Sequence, residues 1–310
     1  MPSDVLTRPP SIFLLGDSRG RFTFAHLAPD VCERNLRCNF IGHCRANSSV
    51  AGLVSKDTKG SVTCSKGSGL GQLGYALHYG VAGPDGPYHF APRHYSAADA
   101  CLGSPSIMRR ELAAFKQQSR PPLIVVLSSL MWDLGRRLKL PTQPDEQWAA
   151  SYETNLTAAA QMLQRTLDAK RDEHLVLVAD YGCLHEASRG GDSSSYCHLY
   201  GSTAARLAAH AAKAVGRKLD LRVIDLERRF RSRLPELLMW QQMGSNKSSI
   251  GYMHPAPAGA CVLWAALQQA GHRSGSAPPQ SSNKVPLPQL PSAPLCETIC
   301  RRAQFSSLCT

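Results

Sequence analysis

Several features that would point to familiar protein classes are scarce or missing from this 310-residue chain. No apolar stretch approaches the roughly 18–20 residues needed to cross a bilayer as a helix. The most apolar run, Leu123 to Leu130, has only the length of a strand, so no transmembrane segment is expected. The eleven cysteines form no CxxC pair and no Cys/His spacing of the zinc-site kind, which argues against a metal centre. No unit of roughly 20–50 residues repeats, which excludes solenoids and propellers. The glycines of Gly67-Ser68-Gly69-Leu70-Gly71-Gln72-Leu73-Gly74 lack a following Lys-Ser/Thr and a strong preceding strand, so they read as a flexible loop and not as a phosphate cradle. No cofactor is implied. Acidic residues are also short, with 23 Asp plus Glu against 35 Lys plus Arg and a net charge of +12. Because the basic residues are scattered without interleaved aromatics, they read as a solvated surface, and no nucleic-acid partner is expected. Clusters such as Arg228-Arg229-Phe230-Arg231-Ser232-Arg233 decorate one helix face.

What the chain does have is an alternation of apolar strands and amphipathic helices. Ile12-Phe13-Leu14-Leu15 runs into Gly16-Asp17-Ser18, a buried strand ending in a sharp turn that carries a hydroxyl. A first helix is expected over 21–28, and 61–64 is a weak strand. A helix over 105–118 ends at Pro121-Pro122. The run Leu123-Ile124-Val125-Val126-Leu127 that follows has the continuous apolarity of a central parallel strand covered on both faces. A long helix over 145–172 carries Trp148, Tyr152, Leu156, Ala159, Leu163 and Leu167 on one stripe. Strands at 175–180 and 221–226 and helices at 202–217, 227–241 and 256–271 complete the pattern. This spacing predicts a three-layer α/β/α sandwich around a parallel sheet.

The domain is expected over 8–272, with 30–60 as a Cys-containing insertion. Residues 273–310 shift to Ser, Pro and Gln and are expected to lack a packed core. Cys296, Cys300 and Cys309 could pair or anchor this tail, to a partner the sequence does not name. The cysteine count and the sequons at Asn47, Asn155 and Asn246 suggest the secretory pathway. Met1-Pro2-Ser3-Asp4 opens with no apolar signal segment, which leaves the compartment open, and the oligomeric state is likewise unread.

The chemistry rests on a serine and a distant histidine. A serine hydroxyl needs a base within hydrogen-bond reach, donors for the oxyanion and usually a group that orients the base. Ser18 is the candidate nucleophile, and His254, in a His-Pro turn ahead of the last helix, is the candidate base. Gly80 or Gly83 could lend a backbone amide to the oxyanion, beside the amide of Ser18 itself. Asp17, Ser129, Trp132 and Asp133 fall at strand ends where they would line the site. The two aspartates suit holding loops by accepting backbone hydrogen bonds better than acid catalysis.

Gly16-Asp17-Ser18, the glycine loop at Gly80, Ser129-Leu130-Met131-Trp132-Asp133-Leu134 after a central strand, and the late His254-Pro255 turn together resemble the SGNH/GDSL hydrolases. The Trp132-Asp133-Leu134 segment is most similar to the PC-esterase branch, which includes plant and algal cell-wall acylation proteins. The resemblance implies a flavodoxin-like sheet and a serine esterase working through an acyl-enzyme on a small-molecule or glycan ester. By the resemblance Ser18 is the nucleophile, Ser18 and Gly80 hold the oxyanion, and His254 is the base. Two positions depart from the family's pattern. Gly251 stands where an Asp usually precedes the His, with no acidic residue from Leu237 to His254, and Trp132 stands where an Asn usually reaches the oxyanion. The departures keep a second reading open, a catalytically weak or inactive protein that binds glycan or serves a structural role. An O-acyltransferase is a variant of the first.

Overall fold

The computed structural model describes residues 9–31, 37–39, 60–63, 70–78, 80–81, 105–131, 133–134, 144–181, 202–231 and 257–272, with 287, 290 and 296. Its strands are β1 (Ser11–Gly16), β2 (Arg37–Asn39), β3 (Gly60–Thr63), β4 (Gln72–Leu77), β5 (Leu123–Leu127), β6 (Glu173–Ala179) and β7 (Arg222–Asp225). The helices are α1 (Ser18–Val31), α2 (Pro105–Gln118), α3 (Asp145–Thr166), α4 (Ser202–Lys218), α5 (Leu226–Arg231) and α6 (Pro257–His272). The seven strands form one sheet in the order β2-β3-β4-β1-β5-β6-β7. β4, β1, β5, β6 and β7 run parallel, while β3 pairs antiparallel with β4 and β2 antiparallel with β3. Numbered among themselves, the parallel strands follow the flavodoxin-like order 2-1-3-4-5, whose direction of winding reverses at the β1/β5 junction.

The pleat divides the core in two. Ile12, Leu14, Ile124, Val126, Val176 and Val178 face α1 and α6, with Phe24, Leu27, Val262 and Trp264 among the residues packed on them. Phe13, Leu15, Val125, Leu127, Leu175 and Leu177 face α2, α3 and α4 on the other side. This is the expected three-layer sandwich, and it follows from continuous apolar runs in the central strands, Ile12 to Leu15, Leu123 to Leu127 and Leu175 to Ala179, which are buried on both faces.

Three expectations change. The stretch read as a flexible glycine loop over 67–74 runs into β4, whose first three residues it contains, and Gly71 and Gly74 there serve close packing and not mobility. A Cβ on Gly74 would lie 2.3 Å from the ring of Phe115 and 2.8 Å from that of Phe13, two rings that stack at 4.5 Å over the strand. The long helix α3 stops at Thr166, and a short 3₁₀ turn over Ala169–Arg171, capped by the Asp168 side chain, leads into β6. The tail, expected to lack a packed core, contributes Leu287, Leu290 and Cys296 to the core on the α1/α6 side. Cys296 forms a disulfide with Cys261 of α6. The insertion expected over 30–60 starts inside α1 and supplies β2, its residues 32–36 and 40–59 lie outside the described residues, and so do 232–241 of the helix expected after β7.

Candidate functional site

Four chain segments leave the carboxyl edge of the sheet side by side, after β1, β4, β5 and β6. The parallel ladder continues past the ends of two of these strands: His78 N–H donates to the Gly16 carbonyl at 2.9 Å, and Ser128 N–H to the Leu15 carbonyl at 2.9 Å. Ser18, the candidate nucleophile, is the first residue of α1. Its hydroxyl, Trp132, Gly251 and His254 lie outside the described residues.

Asp17 caps α1. Its Oδ1 accepts the Arg19 N–H at 2.8 Å, and its Oδ2 accepts the Met131 N–H at 3.0 Å. One carboxylate thus closes the first turn of the helix and ties it to the loop after β5. The Tyr75 hydroxyl donates to the Asp17 carbonyl at 3.0 Å. Asp17 is fully buried. Burial, reinforced by the Asp180 carboxylate and opposed by Arg19 and the two amides, raises its pKa from 3.8 to about 6.

Asp133 does the same work for the loop after β4. The Val81 N–H lies 3.2 Å from its Oδ1 and 3.0 Å from its Oδ2, and the Ser129 hydroxyl donates to Oδ2 at 2.7 Å. The Asp133 carboxylate fills the space beside Gly80, where a Cβ would meet Oδ1 at 2.6 Å. Gly80 also has φ +89°, in the region that side chains disfavour. Both facts require glycine at this position. Its N–H donates to Nδ1 of His78 at 3.1 Å. With Nδ1 accepting, the ring hydrogen sits on Nε2, which donates to the Ser128 carbonyl at 3.0 Å. The Tyr152 hydroxyl donates to the Ser129 carbonyl, and burial keeps this phenol un-ionised by raising its pKa well above 10.0.

A second cluster joins α1 to β6. Arg19 is 3% exposed. Its Nη1 lies 3.3 Å from Asp180 Oδ1 and donates to the Tyr181 carbonyl, while the guanidinium stacks 4.0 Å from the Tyr181 ring centre. Asp180 also accepts the Tyr181 N–H on Oδ1 at 2.8 Å and the Ser128 hydroxyl on Oδ2 at 2.8 Å. Burial, partly offset by Arg19, raises the Tyr181 phenol to about 12. Arg19, Ser128, Asp180 and Tyr181 border a partly open pocket of about 30 Å³, lined also by Leu226 of α5 and by Gly259 and Leu263 of α6.

The structure therefore brings Asp17, Gly80, Ser129 and Asp133 to one edge beside the start of α1. Asp17 and Asp133 hold loops through backbone amides, and the described residues contain no cluster able to hold a metal ion. Arg19, His78, Ser128, Asp180 and Tyr181 were not singled out from the sequence. A signal for three of them was present, since His78, Ser128 and Asp180 each stand directly after a strand's last residue.

No family model matches the sequence, and no curated protein matches it significantly. Among solved structures, the chain is similar to one described as a GDSL-like lipase from Parabacteroides merdae. That likeness has a TM-score of 0.41 and 13% identity, over 82% of this chain and 91% of that one. It is also similar to a carbohydrate acetylesterase from Sinorhizobium meliloti, with a TM-score of 0.38 and 11% identity over 81% and 93% of the two chains. At such values the likeness carries nothing about activity.

Proposed function

We propose that this chain is a serine esterase of the SGNH type, close to its PC-esterase branch, acting on an ester such as an acetyl group carried by a glycan. The observation behind this reading is the place of Ser18, the first residue of a helix that begins one residue past β1, at the junction where the sheet's winding reverses. The amino end of a helix favours developing negative charge.

In the proposed reaction Ser18 Oγ attacks the acyl carbonyl as His254 takes its proton. The amides of Ser18 and Gly80 hold the oxyanion, and Ser129 and Trp132 line the site. The tetrahedral adduct collapses, the alcohol leaves with the proton from His254, and water releases the acid by the same steps in reverse. The Gly80 N–H donates to His78 Nδ1, so in this scheme its hydrogen bond is shared with, or redirected to, the oxyanion while the hydrogen stays on the amide nitrogen. With a sugar hydroxyl in place of water, the same site would perform acyl transfer. The Cys261–Cys296 disulfide and the sequons support maturation in an oxidising compartment.

The test is labelling with a fluorophosphonate probe alongside hydrolysis of a chromogenic acetyl ester. Folded wild-type protein is expected to label and to lose all labelling on Ser18→Ala. Folded protein that neither labels nor hydrolyses would exclude the esterase. Gly251 favours the second reading, a weak or inactive glycan-binding or structural protein. Disabling the orienting carboxylate of a serine-protease triad costs about 10⁴ in turnover. A large gain with Gly251→Asp would show a weakened triad, whereas wild-type activity with no gain would show that another group orients His254.

A further inference from the structure

Arg19 is the residue next to Ser18 and belongs to the first turn of α1, yet its side chain turns into the protein and ends on Asp180. A buried ion pair is a poor source of stability. Removing two charges from water costs several kcal/mol per ion, and well-packed apolar residues of similar volume often serve as well or better. The directional content of this cluster is high. Asp180 receives one hydrogen bond from α1 through Arg19, one from the end of β5 through Ser128, and one from its own strand's exit through the Tyr181 amide. The Arg19 guanidinium is further fixed by the Tyr181 carbonyl and ring. Three parallel strands, β1, β5 and β6, thus have their carboxyl ends referenced to one carboxylate.

On the far side of Ser18, Asp17 ties the same turn to Met131. The residues before and after the serine are therefore each pinned to a different loop. We propose that Arg19 and Asp180, with Ser128, are positioning residues that fix the first turn of α1 and so the direction from which Ser18 presents its hydroxyl. This rests on the esterase reading for its catalytic consequence, and on the geometry alone for its structural one. Misplacement of a reacting group by about 1 Å can cost on the order of 10²-fold in rate, so a pair that adds little stability can still matter for reactivity.

The experiment replaces the cluster by apolar groups, Arg19→Met, Asp180→Leu and Ser128→Ala together, and measures fluorophosphonate labelling rate, thermal midpoint and amide hydrogen exchange. The expected result is a midpoint near or above that of wild type, with labelling slowed by at least about tenfold and faster exchange at residues 19–21. A folded triple variant that labels at the wild-type rate overturns the proposal, since a merely structural pair would give that result. Should the triple variant not fold, Asp180→Asn and Arg19→Lys are measured singly. Slowed labelling measured well below each variant's own midpoint, where the protein is folded, supports the proposal, and wild-type rates in both overturn it. If folded wild-type protein never labels, the esterase reading fails while the positioning claim is still decided by exchange in the folded variant. Faster exchange confined to 19–21 upholds it, and unchanged exchange there overturns it.

Discussion

The Asp17 carboxylate spans the junction between β1 and β5, accepting the amide of Met131 at 3.0 Å while it caps α1 through the amide of Arg19 at 2.8 Å. A single buried acid therefore sets where the helix starts and where the next strand's loop lies against it.

This acid makes stability depend on pH. With its pKa raised to about 6 in the folded chain, Asp17 binds a proton more tightly there than in the unfolded chain, where the usual value near 3.9 holds. Its contribution is most favourable below pH 4 and is lost as pH rises to 6, by about 3 kcal/mol across the window. Asp17→Asn lacks this titration. Urea unfolding of both proteins at pH 4 and pH 7 should show wild type losing stability relative to the variant between the two; a constant difference would contradict the assignment.

Gly80→Ala should be costly. The new Cβ would meet the Asp133 carboxylate at 2.6 Å with φ at +89°, and strain of this kind costs about 1–3 kcal/mol. Thermal denaturation should show a lower midpoint. The labelling rate should fall as well, because the amide proposed for the oxyanion moves with the backbone.

Gly74→Ala tests why β4 carries glycines. An added methyl would overlap the Phe115 ring, and overpacking of a core typically costs about 1–3 kcal/mol. Pairing it with Phe115→Leu should recover part of the loss; if the two changes are simply additive, the clash is not the cause.

Asp133→Ala removes the acceptor of the Val81 amide and the Ser129 hydroxyl. Two buried donors are then left without that partner, at about 1–3 kcal/mol each. Hydrogen exchange at Val81 should accelerate far more than exchange in β5.

Replacing both Cys261 and Cys296 with Ala should lower stability by about 2–4 kcal/mol. The disulfide closes a sequence separation of 35 residues and lies beside Leu287 and Leu290 in the core. Limited proteolysis should then cut the tail first. A reductant should lower the wild-type midpoint by more than that of the double variant.

The sandwich was legible in the sequence because its signals are local. Five apolar residues from Leu123 to Leu127 and the stripe from Trp148 to Leu163 declare a strand and a helix through spacing alone, and both stand where expected. β4 was illegible for the opposite reason. Its glycines look like freedom until Phe13 and Phe115, from two other elements, are seen to fill the space a side chain would need.

The same division holds at the site. The sequence by itself determined that a serine follows closely on the first strand and that polar residues follow each central strand, since strand period and turn chemistry are written over a few neighbours. Only the tertiary structure decided that Arg19 meets Asp180 across 161 residues, that Asp133 holds Val81, and that His78 takes the Gly80 amide. These contacts join loops that have no period of their own. Their partners are chosen by the order in which the sheet stacks its strands, and by the requirement that a buried polar group find another.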